Sequence, residues 1–180
     1  MSPEELLRLG FNRELVVLII SALPILELRG AIPVAINLFH FPWYQALLLA
    51  IIGNLVPVPI ILLFLNAISK WLSKIALFRR FFQWLFEYTS RRGKIIERYE
   101  RMGLILFVAI PLPVTGAWTG SLLAVLFGLK FRHAFLSIFI GVCIAGVIVT
   151  CLSILGWTGA LIAGIVLSSL AISGLWKASR

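Results

Sequence analysis

Five long apolar runs dominate the chain, at residues 14–41, 44–69, 103–129, 133–156 and 159–176. A helix of about 20 apolar residues crosses a bilayer, so 44–69, 133–156 and 159–176 predict transmembrane helices. The other two runs are interrupted. Pro24-Ile25-Leu26-Glu27-Leu28-Arg29-Gly30-Ala31-Ile32-Pro33 lies inside the first, and Pro111-Leu112-Pro113-Val114-Thr115-Gly116-Ala117-Trp118-Thr119-Gly120 inside the second. The prolines break the helical ladder on both sides of Glu27 and Arg29, and Gly30 permits a sharp turn. Irregular backbone at membrane depth persists only against protein or a wet cavity. Residues 14–41 and 103–129 therefore predict two re-entrant helical hairpins with their tips in the membrane. Within the 44–69 span, Pro57 and Pro59 predict a kink, and Asn54 beside it either satisfies a freed carbonyl or lines a pathway.

Between residues 70 and 102 the pattern changes. Trp71, Ile75, Phe78, Phe82 and Leu85 form one helical stripe, with Lys70, Lys74, Arg79 and Arg80 off it. After Arg91-Arg92-Gly93, a second short helix places Ile95, Tyr99 and Met102 on one face and Glu97 in register with Arg101. Residues 70–102 thus predict an amphipathic helix pair lying on the membrane surface. Residues 1–13 predict a short interfacial helix, with Ser2 as cap, Pro3 at its first position, and Glu4 and Glu5 at its positive end. No secretory signal is expected there. His40-Phe41-Pro42-Trp43-Tyr44 marks an interface by its aromatic residues, with His40 an interfacial histidine.

The two interrupted runs correspond. Ala22-Leu23-Pro24 is matched 87 residues on by Ala109-Ile110-Pro111, and Gly30-Ala31 is matched 86 on by Gly116-Ala117. The segments beginning at Trp43 and Ile52 are matched 88 on by those beginning at Phe131 and Ile140. A near-constant offset across separated landmarks predicts duplication. Each half is one hairpin, which crosses nothing, and one span, which crosses once, so the halves have opposite orientation. The expected fold is an all-α integral membrane protein. It is an inverted repeat of re-entrant hairpin plus transmembrane helix, with the cytoplasmic helix pair between halves and an extra C-terminal transmembrane helix.

Charge orients this arrangement. Nine of the 16 Lys and Arg residues lie between 70 and 101, which the positive-inside rule places in the cytoplasm. Lys130, Arg132, Lys177 and Arg180 then also face inside, leaving Arg8 and Arg13 outside and Arg29 buried. Complete crossing by both interrupted runs would put those four outside instead. The expected location is the cytoplasmic inner membrane, in several passes, with the C-terminus inside. The chain is 61% hydrophobic, well above a soluble domain, and leaves no room for a separate soluble domain. The net charge of +9 fits topology and anionic headgroups; no nucleic-acid partner is expected. Cys143 and Cys151 read as small packing hydrophobes, and neither a metal nor a cofactor is expected.

Candidate chemistry centres on Glu27, the only carboxylate in the interior of an apolar run. Ionisable residues at membrane depth are costly and mark functional sites by default. Burial and the neighbouring guanidinium pull the ionisation of Glu27 in opposite directions, which makes it the candidate coupling site for protons or monovalent cations. Arg29 matches the geometry of an anionic headgroup. Gly30, Pro33, Asn54, Pro113, Thr115, Gly116, Trp118, Thr119 and Gly120 are the candidate substrate pocket. An enzyme is not expected: the chain has no Asp, and His40 and His133 fall on opposite sides of the predicted topology. The expected function is a small secondary transporter or lipid translocase; the alternatives are a non-transporting scaffold or subunit, or a multidrug or cation exporter, and a homo-oligomer is left open.

The segments Glu27–Pro33 and Pro111–Gly120 resemble the two signature segments of the small multidrug export proteins, over nearly the whole chain. That family is similar to a remote branch of the DedA superfamily, whose VTT members share paired re-entrant hairpins. Glu100-Arg101-Met102-Gly103 followed by an apolar stretch and Pro113 is similar to the pattern before the second hairpin there. The resemblance implies membrane transport, with polyprenyl-phosphate or phospholipid translocation as precedent and membrane lipids as partners. DedA proteins carry arginines around the second tip, whereas this chain has none between Arg101 and Arg132. A reporter fused after Arg180 tests the topology: a cytoplasm-dependent reporter is expected to be active there, and an export-dependent one silent.

Overall fold

The computed structural model describes residues 3–8, 10–72, 93–112 and 115–156. Every regular element among them is helical: α1 (Pro3–Arg8), α2 (Arg13–Ala22), α3 (Glu27–Pro33) continued by a π-helical turn (Val34–Leu38), α4 (Trp43–Leu55), α5 (Pro57–Leu72), α6 (Gly93–Ala109), α7 (Ala117–Leu126) and α8 (Phe131–Ile154).

Local chemistry sets most of these boundaries. Asn12 caps α2, its side-chain oxygen accepting the Leu15 amide at 3.1 Å, which satisfies one of the orphan donors of a first turn. Leu23 ends α2 in an extended conformation, as a residue before proline prefers. The chain then turns through Pro24, Ile25 and Leu26, all exposed. This corrects the expectation for Gly30, which sits inside α3; the left-handed residue at the turn is Glu27, at φ 48°. Pro33 is corrected as well. It ends no helix: its missing N–H is absorbed by widening to the π register, in which the Phe39 amide reaches the Val34 carbonyl at 3.0 Å.

Among the described residues, two helical stretches are long and apolar enough to cross a membrane. They are Trp43–Phe64, 22 residues spanning the α4–α5 kink, and Phe131–Ile154, 24 residues. At 1.5 Å per residue they reach about 33 and 36 Å, against a hydrocarbon core of about 30 Å. The kink falls at Val56, where Pro57 opens α5. The short helices α2 and α7, with 10 residues each, reach only about 15 Å. The helix before the second interruption is longer than expected. Instead of a short surface helix ending near Met102, α6 runs unbroken from Gly93 to Ala109, carrying Gly103 within it, since a single glycine costs a helix only about 1 kcal/mol and no proline follows before Pro111. The first helix of the expected surface pair lies mostly in 73–92, and the last span in 159–176; both fall outside the described residues.

The packing is that of a bundle whose outside is apolar. Leu48, Ile52, Ile60, Leu63 and Phe64 project outward from α4–α5, and Leu136, Phe139, Ile144 and Val147 from α8. Small residues face inward: Ala46, Ala50 and Gly53 on α4, and Ala134, Ser137, Gly141, Ala145 and Gly146 on α8. Where the solvent is hydrocarbon, helices associate through such close contacts rather than by hiding leucines. Two contacts recur. A Cβ at Gly53 would stand 2.6 Å from the Leu18 carbonyl and 3.0 Å from the Ser21 Cβ of α2. A Cβ at Gly141 would stand 3.0 Å from the Ile105 carbonyl and 2.7 Å from the Val108 Cβ of α6. Leu18 and Ser21 each lie 87 residues before Ile105 and Val108, and Gly53 lies 88 before Gly141. The Ser21 hydroxyl also donates to the Ala50 carbonyl, fastening α2 to α4. On α7, a Cβ at Gly120 would meet Val108 of α6 at 2.6 Å and Ile138 of α8 at 3.8 Å.

Leucine at Gly53 or at Gly141 is therefore expected to force the paired helices apart and destabilise the protein by about 1–3 kcal/mol. Leucine at Gly103, which has open space where a Cβ would go, is expected to leave the melting temperature in detergent unchanged or raised.

Candidate functional site

The first broken helix reaches the second through two charged side chains. Glu27 opens α3 in the left-handed backbone region, which costs a non-glycine residue about 1–3 kcal/mol and clusters at functional sites. Its side chain is buried, with the residue 5% exposed. The carboxylate lies at the start of α7, where the Trp118 amide donates to Oε1 at 3.4 Å. Arg29, two residues on, stands with Nη2 3.9 Å from Glu27 Oε2. Its Nη1 donates to the Leu112 carbonyl and its Nη2 to Thr115 Oγ1 at 3.3 Å. The Thr115 hydroxyl lies 2.7 Å from the Ile110 carbonyl and 2.9 Å from that of Leu112.

The signs of these charges suit their positions. The end of α6 exposes carbonyls and carries partial negative charge, whereas the start of α7 exposes amides and carries partial positive charge. Arg29 meets the carbonyls and Glu27 meets the amides. The reciprocal contact comes from Trp118, whose indole Nε1 donates to the Ala22 carbonyl, the last of α2, at 3.1 Å. Gly116 makes the approach possible: a Cβ there would collide with the Glu27 carboxylate.

The structure thus brings together Glu27, Arg29, Thr115, Gly116 and Trp118 from the residues singled out in the sequence. Others take different places. Gly30 abuts only Leu26 of its own turn, with a would-be Cβ 3.0 Å from Leu26 Cβ. Thr119 serves its own loop, accepting the Gly116 amide at 3.0 Å. Gly120 is a packing contact to α6, and Pro33 lies within a helix. Asn54 is fully buried, and neither its amide nitrogen nor its oxygen has a partner among the described residues. Pro113 lies outside the described residues. His40 is exposed at the turn before α4, and Cys143 and Cys151 are free on α8. Sequence reasoning missed the Ala22 and Leu112 carbonyls. Their signal was present, since backbone carbonyls beside a proline break need a donor.

These features define a class: an all-helical membrane protein with an acid–base pair held between two broken helices. Residues 27–148 match the family described as "Putative small multi-drug export protein", and the chain belongs to that family. The match begins at Glu27, just past the first break, and takes in α3, the second break, α4, α7 and most of α8. No curated protein and no solved structure matches the chain.

Cysteines placed at Glu27 and Gly116, in a background lacking Cys143 and Cys151, are expected to form a disulfide under mild oxidation. Such a bond needs Cα atoms within about 7 Å. Gel mobility with and without reductant reads the result; two freely alkylated thiols and no bond would contradict the contact.

Proposed function

We propose that the protein is a small secondary exporter in which Glu27 couples transport to protons or monovalent cations. The observation that carries this reading is the contact of Glu27 and Arg29 with Leu112, Thr115 and Trp118 across the two broken helices. A charge at the bilayer centre costs about 2.5–3.5 kcal/mol on insertion scales. Uncharged groups can satisfy a helix end, as Thr119 does for Gly116. Two charges and a left-handed Glu27 are an expensive way to do the same task, and they suit a junction that must open. A proton or cation on Glu27 removes or screens its attraction to Arg29 and to the amides of α7. The junction weakens, and the two broken helices separate enough to expose the site to the other side.

In this proposal both broken helices are re-entrant and the halves form an inverted repeat. Three contacts support it. The glycine contacts of Gly53 and Gly141 recur at offsets of 87 and 88. Gly120 of α7 meets Val108 near the end of α6, while Leu123 and Phe127 further along α7 share a cavity wall with Glu100 and Gly103 earlier in α6. Arg101 of α6 shares a groove with His133 of α8, and Val108 meets Gly141, so these helices run side by side in the same direction. A single complete crossing by residues 103–129 would instead make α8 return antiparallel to α6. The reading also places the molecule in the inner membrane with a cytoplasmic C-terminus.

A second reading, translocation of an anionic lipid such as a polyprenyl phosphate or phospholipid, draws on Arg29, whose Nε has no partner among the described residues. Export assays in proteoliposomes separate the two by substrate. In either case Glu27→Gln is expected to abolish gradient-driven transport, with a loss of at least about 100-fold, while the protein still inserts and folds. Gradient coupling retained by a folded Glu27→Gln protein would refute the role, and full activity would support a scaffold.

A further inference from the structure

The crevice between α6 and α8 lies away from the Glu27 junction and has its own chemistry. The two helices touch where Gly141 admits Val108 and the Ile105 carbonyl. Toward their beginnings they diverge, leaving a groove of about 230 Å³ lined by Arg101, Met102, Ile105, His133, Leu136, Ser137 and Ile140. From His133 to Ile140 it extends about 10 Å along α8. Arg101 and His133 line one end of it, within a turn of the basic start of α8, Lys130-Phe131-Arg132, and Ser137 lies one turn further along α8. Met102, Leu136 and Ile140 form exposed apolar walls.

We propose that this groove binds one anionic phospholipid, with its phosphate at Arg101 and His133 and the start of one acyl chain against Met102, Leu136 and Ile140. Charge complementarity identifies the occupant. The mouth presents a guanidinium and an imidazole beside Lys130 and Arg132, and basic pockets between transmembrane helices take anionic headgroups. The apolar walls distinguish a lipid from a free anion, because burying them stabilises only a ligand with a chain. Guanidinium and imidazole both donate to phosphate oxygens, and hydrogen bonds to a charged group are the strong kind. The site does not depend on transport. A lipid seated there fixes the spacing of α6 and α8, and through Val108 and Gly120 the position of α7.

Native mass spectrometry of the full chain, released from detergent after incubation with phosphatidylglycerol or phosphatidylcholine, tests this. The intact protein is expected to retain one phosphatidylglycerol preferentially. The double variant Arg101→Gln with His133→Gln is expected to lose that preference by about tenfold, whereas Arg13→Gln, a charge removed at the start of α2, keeps it. Leu136→Trp, which fills the groove from an exposed position without touching the basic pair, is expected to reduce retention as well, so the test survives if the double variant fails to fold. Preference unchanged in the folded double variant, or unchanged in Leu136→Trp, would overturn the proposal. Equal loss in Arg13→Gln would show generic charge attraction, and full competition by inorganic phosphate would show a free-anion site; either also overturns it.

Discussion

A broken helix must find partners for the backbone groups its break releases, and this protein answers that constraint with an ion pair. The carbonyls that follow α6 receive Arg29, and the amides that begin α7 receive Glu27. Each charge is thereby placed against the helix end of opposite sign, and the two lie 3.9 Å from each other. Trp118 returns the favour by donating to the Ala22 carbonyl of the first broken helix. Remove the pair, and the Leu112 carbonyl and the Trp118 amide lose the side chains that meet them. The junction is therefore both a structural clasp and the place where a change of charge has the largest mechanical effect. It supports the proposal of a transporter, because a clasp made of charge is one that protonation can loosen.

The rest of the bundle holds the two breaks in register. Packing through glycine at Gly53 and Gly141 brings α2 and α6 to backbone contact with the long helices, and Gly120 does the same for α7. Many leucines and phenylalanines, such as Leu48, Leu63, Phe64, Leu136 and Phe139, are turned outward here. Dispersion between small residues, rather than expulsion of water, holds the elements. That leaves the interior narrow, so the added Cβ at Gly116 has nowhere to go but into the Glu27 carboxylate.

The sequence was most legible where a residue type is out of place. Glu27 and Arg29 stood out because charge is costly in an apolar run, and the structure joins them to Thr115, Gly116 and Trp118 of the second interrupted segment. The long apolar helices were legible from run length alone. What pattern could not supply was the conformation at the breaks. A glycine is the default choice for a sharp turn, yet the left-handed residue is Glu27 and Gly30 is helical. Pro33 is tolerated by a π-turn, a choice between registers that depends on neighbouring contacts and not on Pro33 itself. Thr119 and Gly120 drew notice for their types and turned out to serve loop and packing. The end of the surface helix was placed at Met102, where the pattern turns from amphipathic to apolar beside Gly103, yet α6 continues through that glycine to Ala109.

The proposal that two re-entrant segments meet at a charged junction is tested most directly by which side each segment opens to. Single cysteines at Asn12 and His40 bracket the first broken helix, and single cysteines at Met102 and Lys130 bracket the second. All are placed in a background lacking Cys143 and Cys151 and probed with a membrane-impermeant maleimide on intact cells and on inverted vesicles. The account predicts that Asn12 and His40 label from outside, and Met102 and Lys130 from inside. Labelling of Asn12 and His40 from opposite sides, or of Met102 and Lys130 from opposite sides, would mean that the broken helix crosses the membrane and would contradict it.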